Sequence, residues 1–312
     1  MTLAILCSGQ GAQRADMFDL TGSAPQADAL FAHAGRLLGD DPRTWVRQAG
    51  PDALRENRAA QILCTVQALA AAALLDAVWP RRRCVAGYSV GEVGSWSVAG
   101  MIGPHDALDL ADARARAMDA ASSGDERMVF VRGLTRVQLA QLCDGRDAAI
   151  AIANPGDAFV VAGRHVDVDV DAVADDAQRA GALRVAPVCV RIASHTRRLA
   201  AAVPAFRATL AATRVRRPLP GTRLFSGIDG ASVLDVDTGL DKLARQIAEP
   251  VEWAACLAAC VEAGATAFLE LGPGRALAEM AGGAYPALPA RSLADFRSVD
   301  GVTSWLARVA AG

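Results

Sequence analysis

The chain has 312 residues, 52% of them hydrophobic and 21% charged, with a formal net charge of −2. So much apolar material with so little net charge excludes a disordered chain. It also excludes the usual basic nucleic-acid binder, and the length fits one large domain or two modest ones. Lys242 is the only lysine, and the histidines are His33, His105, His165 and His195. The seven cysteines are scattered, with no Cys-x-x-Cys pair and no zinc-ligand spacing, so reduced, packed thiols and no metal are expected. Met1 to Ile5 lacks the basic and long apolar regions of a signal peptide. The longest apolar stretch, Ile62 to Trp79, carries Thr65, Gln67 and Asp76, which fit a buried helix better than a membrane span. A soluble cytoplasmic protein is the expectation.

Leu3 to Cys7 reads as a short buried strand that breaks at Ser8-Gly9-Gln10-Gly11. Helical patterns fill most of residues 24 to 80 and end at Pro80; Cys84-Val85-Ala86 is a second strand, followed by Gly87 and a helix. This alternation predicts an α/β fold with a short parallel sheet. From about residue 123 the texture changes. Met128 to Val131 reads as a strand, and Thr135 to Cys143 as a helix opened by a threonine cap. Ala148 to Ala153 and Phe159 to Ala162 read as strands joined by the turn Asn154-Pro155-Gly156-Asp157. Val166 to Ala180 reads as a helix and Leu183 to Val190 as a strand. The order βαββαβ predicts a ferredoxin-like small domain, residues 123–195, inserted into a large, hydrolase-like α/β domain of residues 1–122 and 196–312. The large domain resumes with strands near Arg223 to Phe225 and Ala267 to Leu271, and a last helix around Val302 to Ala310.

Gly87-Tyr88-Ser89-Val90-Gly91 is a G-x-S-x-G sequence set between a strand and a helix, the context in which the motif lifts a serine hydroxyl clear of the sheet. Ser89 is therefore a candidate nucleophile, with the Val90 amide a candidate oxyanion donor; the plain alternative is a glycine-rich turn with an incidental serine. Of the histidines, His33, His105 and His165 sit in structural contexts. His195, in Ile192-Ala193-Ser194-His195, stands where the chain returns to the large domain and is the candidate base. In the helix near residues 105 to 120, Arg114 shares the apolar face of Leu110, Ala111 and Met118, whereas Arg116 points about 200° away. A buried arginine needs an anion. Two partners are open: Asp112 or Asp119 in an internal salt bridge, or a substrate carboxylate in a bidentate clamp. Ser8 to Gln13 starts like a dinucleotide fingerprint but has Arg14 in place of the third glycine, which argues against a nicotinamide or flavin site. Its backbone amides remain candidates for a second oxyanion donor, and Gly272-Pro273-Gly274 reads as a rigid turn.

Together these motifs resemble the malonyl-CoA:acyl-carrier-protein transacylase family over nearly the whole chain. The resemblance runs through Gly9-Gln10-Gly11-Ala12-Gln13, Gln61, Gly87-x-Ser89-x-Gly91-Glu92, Arg114-x-x-x-Met118 and Ser194-His195. It continues in Gln246-x-x-x-Pro250-Val251-x-Trp253 and Glu270-Leu271-Gly272-Pro273-Gly274. It implies Ser89 as nucleophile and His195 as its base, with the Gln246 backbone carbonyl in place of a triad carboxylate. It further implies an oxyanion hole from the Gln10 and Val90 amides and a carboxylate clamp at Arg114, with Gln61 and Met118 in support. The implied reaction is ping-pong: Ser89 takes malonyl from malonyl-CoA and passes it to the prosthetic-group thiol of an acyl carrier protein, with no permanently bound cofactor and no nucleic-acid or membrane partner.

The departures point to a subgroup. Tyr88 stands where the family elbow usually has histidine, and Cys7-Ser8 where Phe-Pro is usual. Gly-Tyr-Ser-Val-Gly-Glu followed by Ser95 to Gly100 is most similar to the malonyltransferase (epsilon) subunit of bacterial malonate decarboxylase. Its carrier bears a phosphoribosyl-dephospho-CoA group. A fatty-acid or polyketide transacylase is the alternative, and a serine esterase a more distant one. The Ile192-to-His195 tetrad also resembles the Tyr-Ala-Ser-His of methylmalonyl-selective relatives, which leaves tolerance of an α-methyl group open. Arg197 and Arg198 are either a landing place for an acidic carrier or a solvated face.

Overall fold

The computed structural model describes residues 1–165 and 169–311. Its strands, in chain order, are β1 (Thr2–Cys7), β2 (Arg82–Gly87), β3 (Glu126–Arg132), β4 (Ala148–Asn154) and β5 (Ala158–Arg164). They continue with β6 (Arg184–Val188), β7 (Thr222–Leu224), β8 (Val251–Glu252), β9 (Ala267–Glu270) and β10 (Ala290–Ser292). One sheet runs β10-β9-β1-β2-β7 with every neighbouring pair parallel. The expected α/β architecture with a parallel sheet is the one observed. Register sets Cys7 beside Gly87 and Leu6 beside Glu270, so the carboxyl ends of β1, β2 and β9 finish side by side. The loops Ser8–Gly11, Tyr88–Val90 and Leu271–Gly274 therefore leave the sheet together, at the edge where open α/β sheets bind ligands.

Ile62 lies in the helix Asn57–Leu74, which is buried on every face from Ala59 to Ala71. An apolar run of this kind serves as a central core helix, and no helix among the described residues is long and apolar enough to cross a membrane. Pro104 opens the helix Pro104–Ala121 at a position where a missing amide costs nothing. All seven cysteines are free, six of them buried.

The second sheet runs β6-β3-β5-β4-β8. Its first four strands are antiparallel and follow the order fourth, first, third, second of the βαββαβ unit. Thr135 caps the helix Arg136–Cys143 in a capping box with Gln138. The second helix of the unit is Val170–Arg179; the first part of its expected range, 166–168, lies outside the described residues. The hairpin turn after Asn154 uses positive φ at Gly156 and Asp157. Alternation along the strands gives the sheet two working faces. Val129, Val131, Phe159 and Val161 close a small core of their own, while Met128, Val160 and Ala162 join the main core. A bulge between Ile150 and Ile152 turns both Ala151 and Ile152 toward the main core, which re-aims the end of β4.

Two strands have no sequence signature. β8 and β10 are two and three residues long, too short for a period to register. β8 also lies in the stretch assigned to the large domain, yet pairs with β4 at Ile152 and Ala153 and so belongs to the second sheet.

Arg198 corrects another expectation. It is neither a free landing place nor a solvated face, because Asp125, Glu126 and Asp147 all pair with it. Glu126 is buried, and its other oxygen accepts the Ala193 amide at 3.0 Å. This cluster joins the start of the β3–β6 unit to the segment carrying His195. Arg197 stays exposed. Replacing Arg198 by Met would leave a buried carboxylate uncompensated. We expect a loss of about 3–5 kcal/mol in urea unfolding, against about 0–1 kcal/mol for Arg47→Ala in an exposed pair.

Candidate active site

The elbow between β2 and the helix Gly91–Val98 depends on absent side chains. A Cβ on Gly87 would lie 2.2 Å from the Glu92 amide nitrogen, and one on Gly91 would lie 2.1 Å from the Cys7 carbonyl oxygen. Two glycines thus let the helix start directly over the ends of β1 and β2. Ser89, between them, is held at φ 56°. His195 has φ 64°, and the only other non-glycine residue with positive φ among those described is Asp157 in a hairpin turn. Aspartate tolerates that conformation through local hydrogen bonds, whereas serine and histidine hold it only under tertiary constraint.

The constraint brings the two together. His195 Nε2 is 2.8 Å from Ser89 Oγ, and His195 Nδ1 is 2.6 Å from the backbone oxygen of Gln246. A carbonyl can only accept, so Nδ1 carries the proton and Nε2 offers its lone pair to the serine hydroxyl. The His195 amide in turn donates to Ile247 O at 2.8 Å, fixing the ring's origin. Burial, and then the nearby Arg114 charge, push the His195 pKa down to about 3, so the imidazole stays neutral and basic in form.

Arg114 is 1% exposed and does not bond to Asp112 or Asp119. Asp112 pairs with Arg58 and Arg116, and Asp119 accepts from Asn57, which disposes of the internal salt bridge. Arg114 instead donates through Nη1 to Gln61 Oε1 at 2.7 Å and through Nη2 to Gln246 Oε1 at 3.0 Å, while its Nε has no partner. Two neutral carboxamides orient the cation without neutralising it. Burial lowers its pKa to about 10, leaving it charged. Gln61 Nε2 donates to Asn57 Oδ1 at 2.8 Å and approaches Met118 Sδ at 3.3 Å, which explains why Gln61 and Met118 travel with Arg114 in the motif set.

Ser89 and His195 open into a cleft of about 330 Å³. Gln10, Pro273 and Leu277 line one side; Met128, Phe130 and Ile152 of the small sheet line the other. The β4 bulge is what places Ile152 there. Tyr88 packs edge-on to Trp253 with centroids 5.4 Å apart. Gln10 and Val90 flank Ser89 on the two loops, and neither amide is used in a backbone hydrogen bond. Arg114 lies outside the cleft lining. Among the described residues no group of three or more His, Cys, Asp or Glu is placed to hold a metal ion.

The acyl transferase domain family matches residues 5–286 of this chain. The chain belongs to the acyl transferase family. It is 29% identical over 300 residues to the malonyl CoA-acyl carrier protein transacylase of Mycobacterium tuberculosis (strain ATCC 25618 / H37Rv), covering 93% of this chain and 96% of that one. It is 27% identical over 285 residues to the transacylase of the same name from Escherichia coli (strain K12), covering 88% and 90%. The solved acyl-carrier-protein S-malonyltransferase of Burkholderia pseudomallei 1710b superposes with a TM-score of 0.89 at 28% identity, over 97% of this chain and all of that one. This acyl transferase is thus an enzyme whose relatives share its fold from end to end.

Two residues at the heart of the site escaped functional reading in the sequence. In the sequence Glu92 belongs to a motif without a role of its own, and Gln246 is marked for its backbone carbonyl and not for its side chain. Their signal is partnership across 154 residues of chain, which no spacing displays.

A histidine held neutral by the fold links stability to pH. The unfolded chain takes up the proton first, near pH 6.5, so the contribution is full above that pH and is lost as pH falls toward about 3. Urea unfolding across this window should show stability dropping with pH, and His195→Gln should flatten that slope.

Proposed function

We propose that this acyl transferase moves malonyl from malonyl-CoA to the prosthetic-group thiol of an acyl carrier protein through a malonyl-Ser89 intermediate. The observation that carries the reading is Arg114, a buried guanidinium oriented by two glutamine oxygens and paired with no carboxylate. Such a cation is supplied with a frame and has no carboxylate in direct contact, which fits a substrate whose acyl group ends in a carboxylate. The N–H groups that Gln61 and Gln246 leave unoccupied would receive it. An acetyl group would leave them unpaired in a dry site.

In the forward half-reaction Ser89 Oγ attacks the thioester carbonyl carbon while His195 Nε2 takes the hydroxyl proton. The Gln246 carbonyl steadies the imidazolium through Nδ1–H. The negative oxygen of the tetrahedral intermediate meets the Gln10 and Val90 amides. The carbon–sulfur bond then breaks, and His195 returns the proton to the departing CoA thiolate. A carrier thiol reverses the sequence. In this reading residues 123–195 are a small domain that roofs the cleft above a large domain of residues 1–122 and 196–312, and the apolar wall of Met128, Phe130 and Ile152 keeps water from the acyl-enzyme.

The relatives are named for an acyl carrier protein, which favours the reading in which the acceptor is a fatty-acid or polyketide carrier. A malonate decarboxylase carrier is the second reading, supported by Tyr88 in the elbow and the Gly-Tyr-Ser-Val-Gly-Glu run. Transfer from malonyl-enzyme to a phosphopantetheine carrier and to a phosphoribosyl-dephospho-CoA carrier separates them by rate.

Brief incubation with malonyl-CoA should add one malonyl mass to the wild type and none to Ser89→Ala, read by intact-protein mass spectrometry. Arg114→Ala should lower malonyl loading about a hundredfold or more while raising acceptance of acetyl. A serine esterase would lose the acyl group to water at once and ignore the arginine substitution.

A further inference from the structure

Glu92 takes no part in the chemistry above, yet no acid is more deeply buried beside it. It stands in the first turn of the elbow helix with 0% exposure. Its Oε2 accepts from Gln246 Nε2 at 2.5 Å and from the Gly227 amide at 3.1 Å, and its Oε1 has no partner. Gln246 Nε2 also donates to the Ser89 carbonyl oxygen at 3.1 Å. Two acceptors on one side decide which way the carboxamide faces. A flip would set its oxygen against a carboxylate oxygen and a carbonyl oxygen, acceptor to acceptor, in a dry interior. The surviving orientation turns Gln246 Oε1 to Arg114.

We propose that Glu92 is a positioning residue for acyl-group choice: it clamps the Gln246 carboxamide so that its oxygen, not its NH2, faces Arg114. This rests on the reading of Arg114 as the carboxylate receptor. Without Glu92 the carboxamide keeps one weak tie to the Ser89 carbonyl and is free to rotate. Its NH2 would then meet the guanidinium, donor to donor, and Arg114 would keep only Gln61. The oxyanion amides and the Ser89–His195 contact lie on other bonds, so loss of Glu92 should strike malonyl more than neutral acyl groups.

The test compares wild type, Glu92→Leu and Glu92→Gln. Gln can still accept from Gln246 through its amide oxygen; Leu cannot. Acylation of Ser89 by malonyl-CoA and by acetyl-CoA is measured as kcat/KM, and the Gln246 side-chain NH2 is followed by 15N NMR. For Glu92→Leu we expect malonyl loading down about tenfold or more, acetyl loading changed by less than about threefold, and a protected NH2 signal lost. Glu92→Gln should hold both rates within about threefold of wild type and keep the signal. A folded Glu92→Leu protein that keeps the malonyl preference and the protected NH2, or loses both acyl activities in parallel, would overturn the proposal. Should Glu92→Leu not fold by circular dichroism, Glu92→Asp keeps the carboxyl group but draws it back from Gln246, and the same losses are expected. A wild type that loads malonyl and acetyl equally would sink the reading of Arg114, while the NMR signal would still decide whether Glu92 holds Gln246.

Discussion

Gln246 caps the helix Val236–Arg245 and sends out three sets of hydrogen bonds at once. Its backbone oxygen takes the His195 Nδ1 proton, its side-chain oxygen takes Arg114, and its NH2 reaches both Glu92 and the Ser89 carbonyl. Ser89, His195, Arg114 and Glu92 thus hang on one residue. Because the residue is 0% exposed, none of these bonds competes with water. That makes the arrangement stiff. A triad carboxylate would orient the imidazole as well, but it would also set a full negative charge beside Arg114. A carbonyl orients without adding that charge, in keeping with the proposed role of Arg114 as receptor for an anionic acyl group.

The parallel sheet contributes a platform rather than chemistry. Register brings three loop-bearing strand ends to one edge, and the Gly87 and Gly91 positions let the elbow helix sit on that edge. The small sheet contributes the opposite wall. Its strands alternate between a private core and the cleft, and the β4 bulge places Ala151 and Ile152 on the same side. The Arg198 cluster fastens this sheet to the segment that ends in His195, so the position of that imidazole depends on how the two layers meet. Strained φ values at Ser89 and His195 persist because so many bonds on either side over-determine them.

Local pattern carried much of this. Buried strands, the G-x-S-x-G turn with its flanking strand and helix, the threonine cap and the βαββαβ order are all short-range features, and helical spacing alone set Arg114 apart from Arg116. Patterns failed where an element was too short to have one, as in β8 and β10, and where a side chain's partners came from distant stretches. Arg198 looked like a surface residue because Asp125, Glu126 and Asp147 are far from it in sequence. The choice between a salt bridge and a clamp for Arg114 was open for the same reason.

By itself the sequence determined the α/β class, the G-x-S-x-G turn between strand and helix, the small four-stranded unit and the membership of the family, since each is written in contiguous residues or in motif order. Only the tertiary structure decided the tautomer of His195, the partners of Arg114, the fate of Arg198 and the place of Glu92. Those depend on hydrogen bonds between groups 51 to 154 residues apart, and on burial that makes each such bond costly to leave unmade.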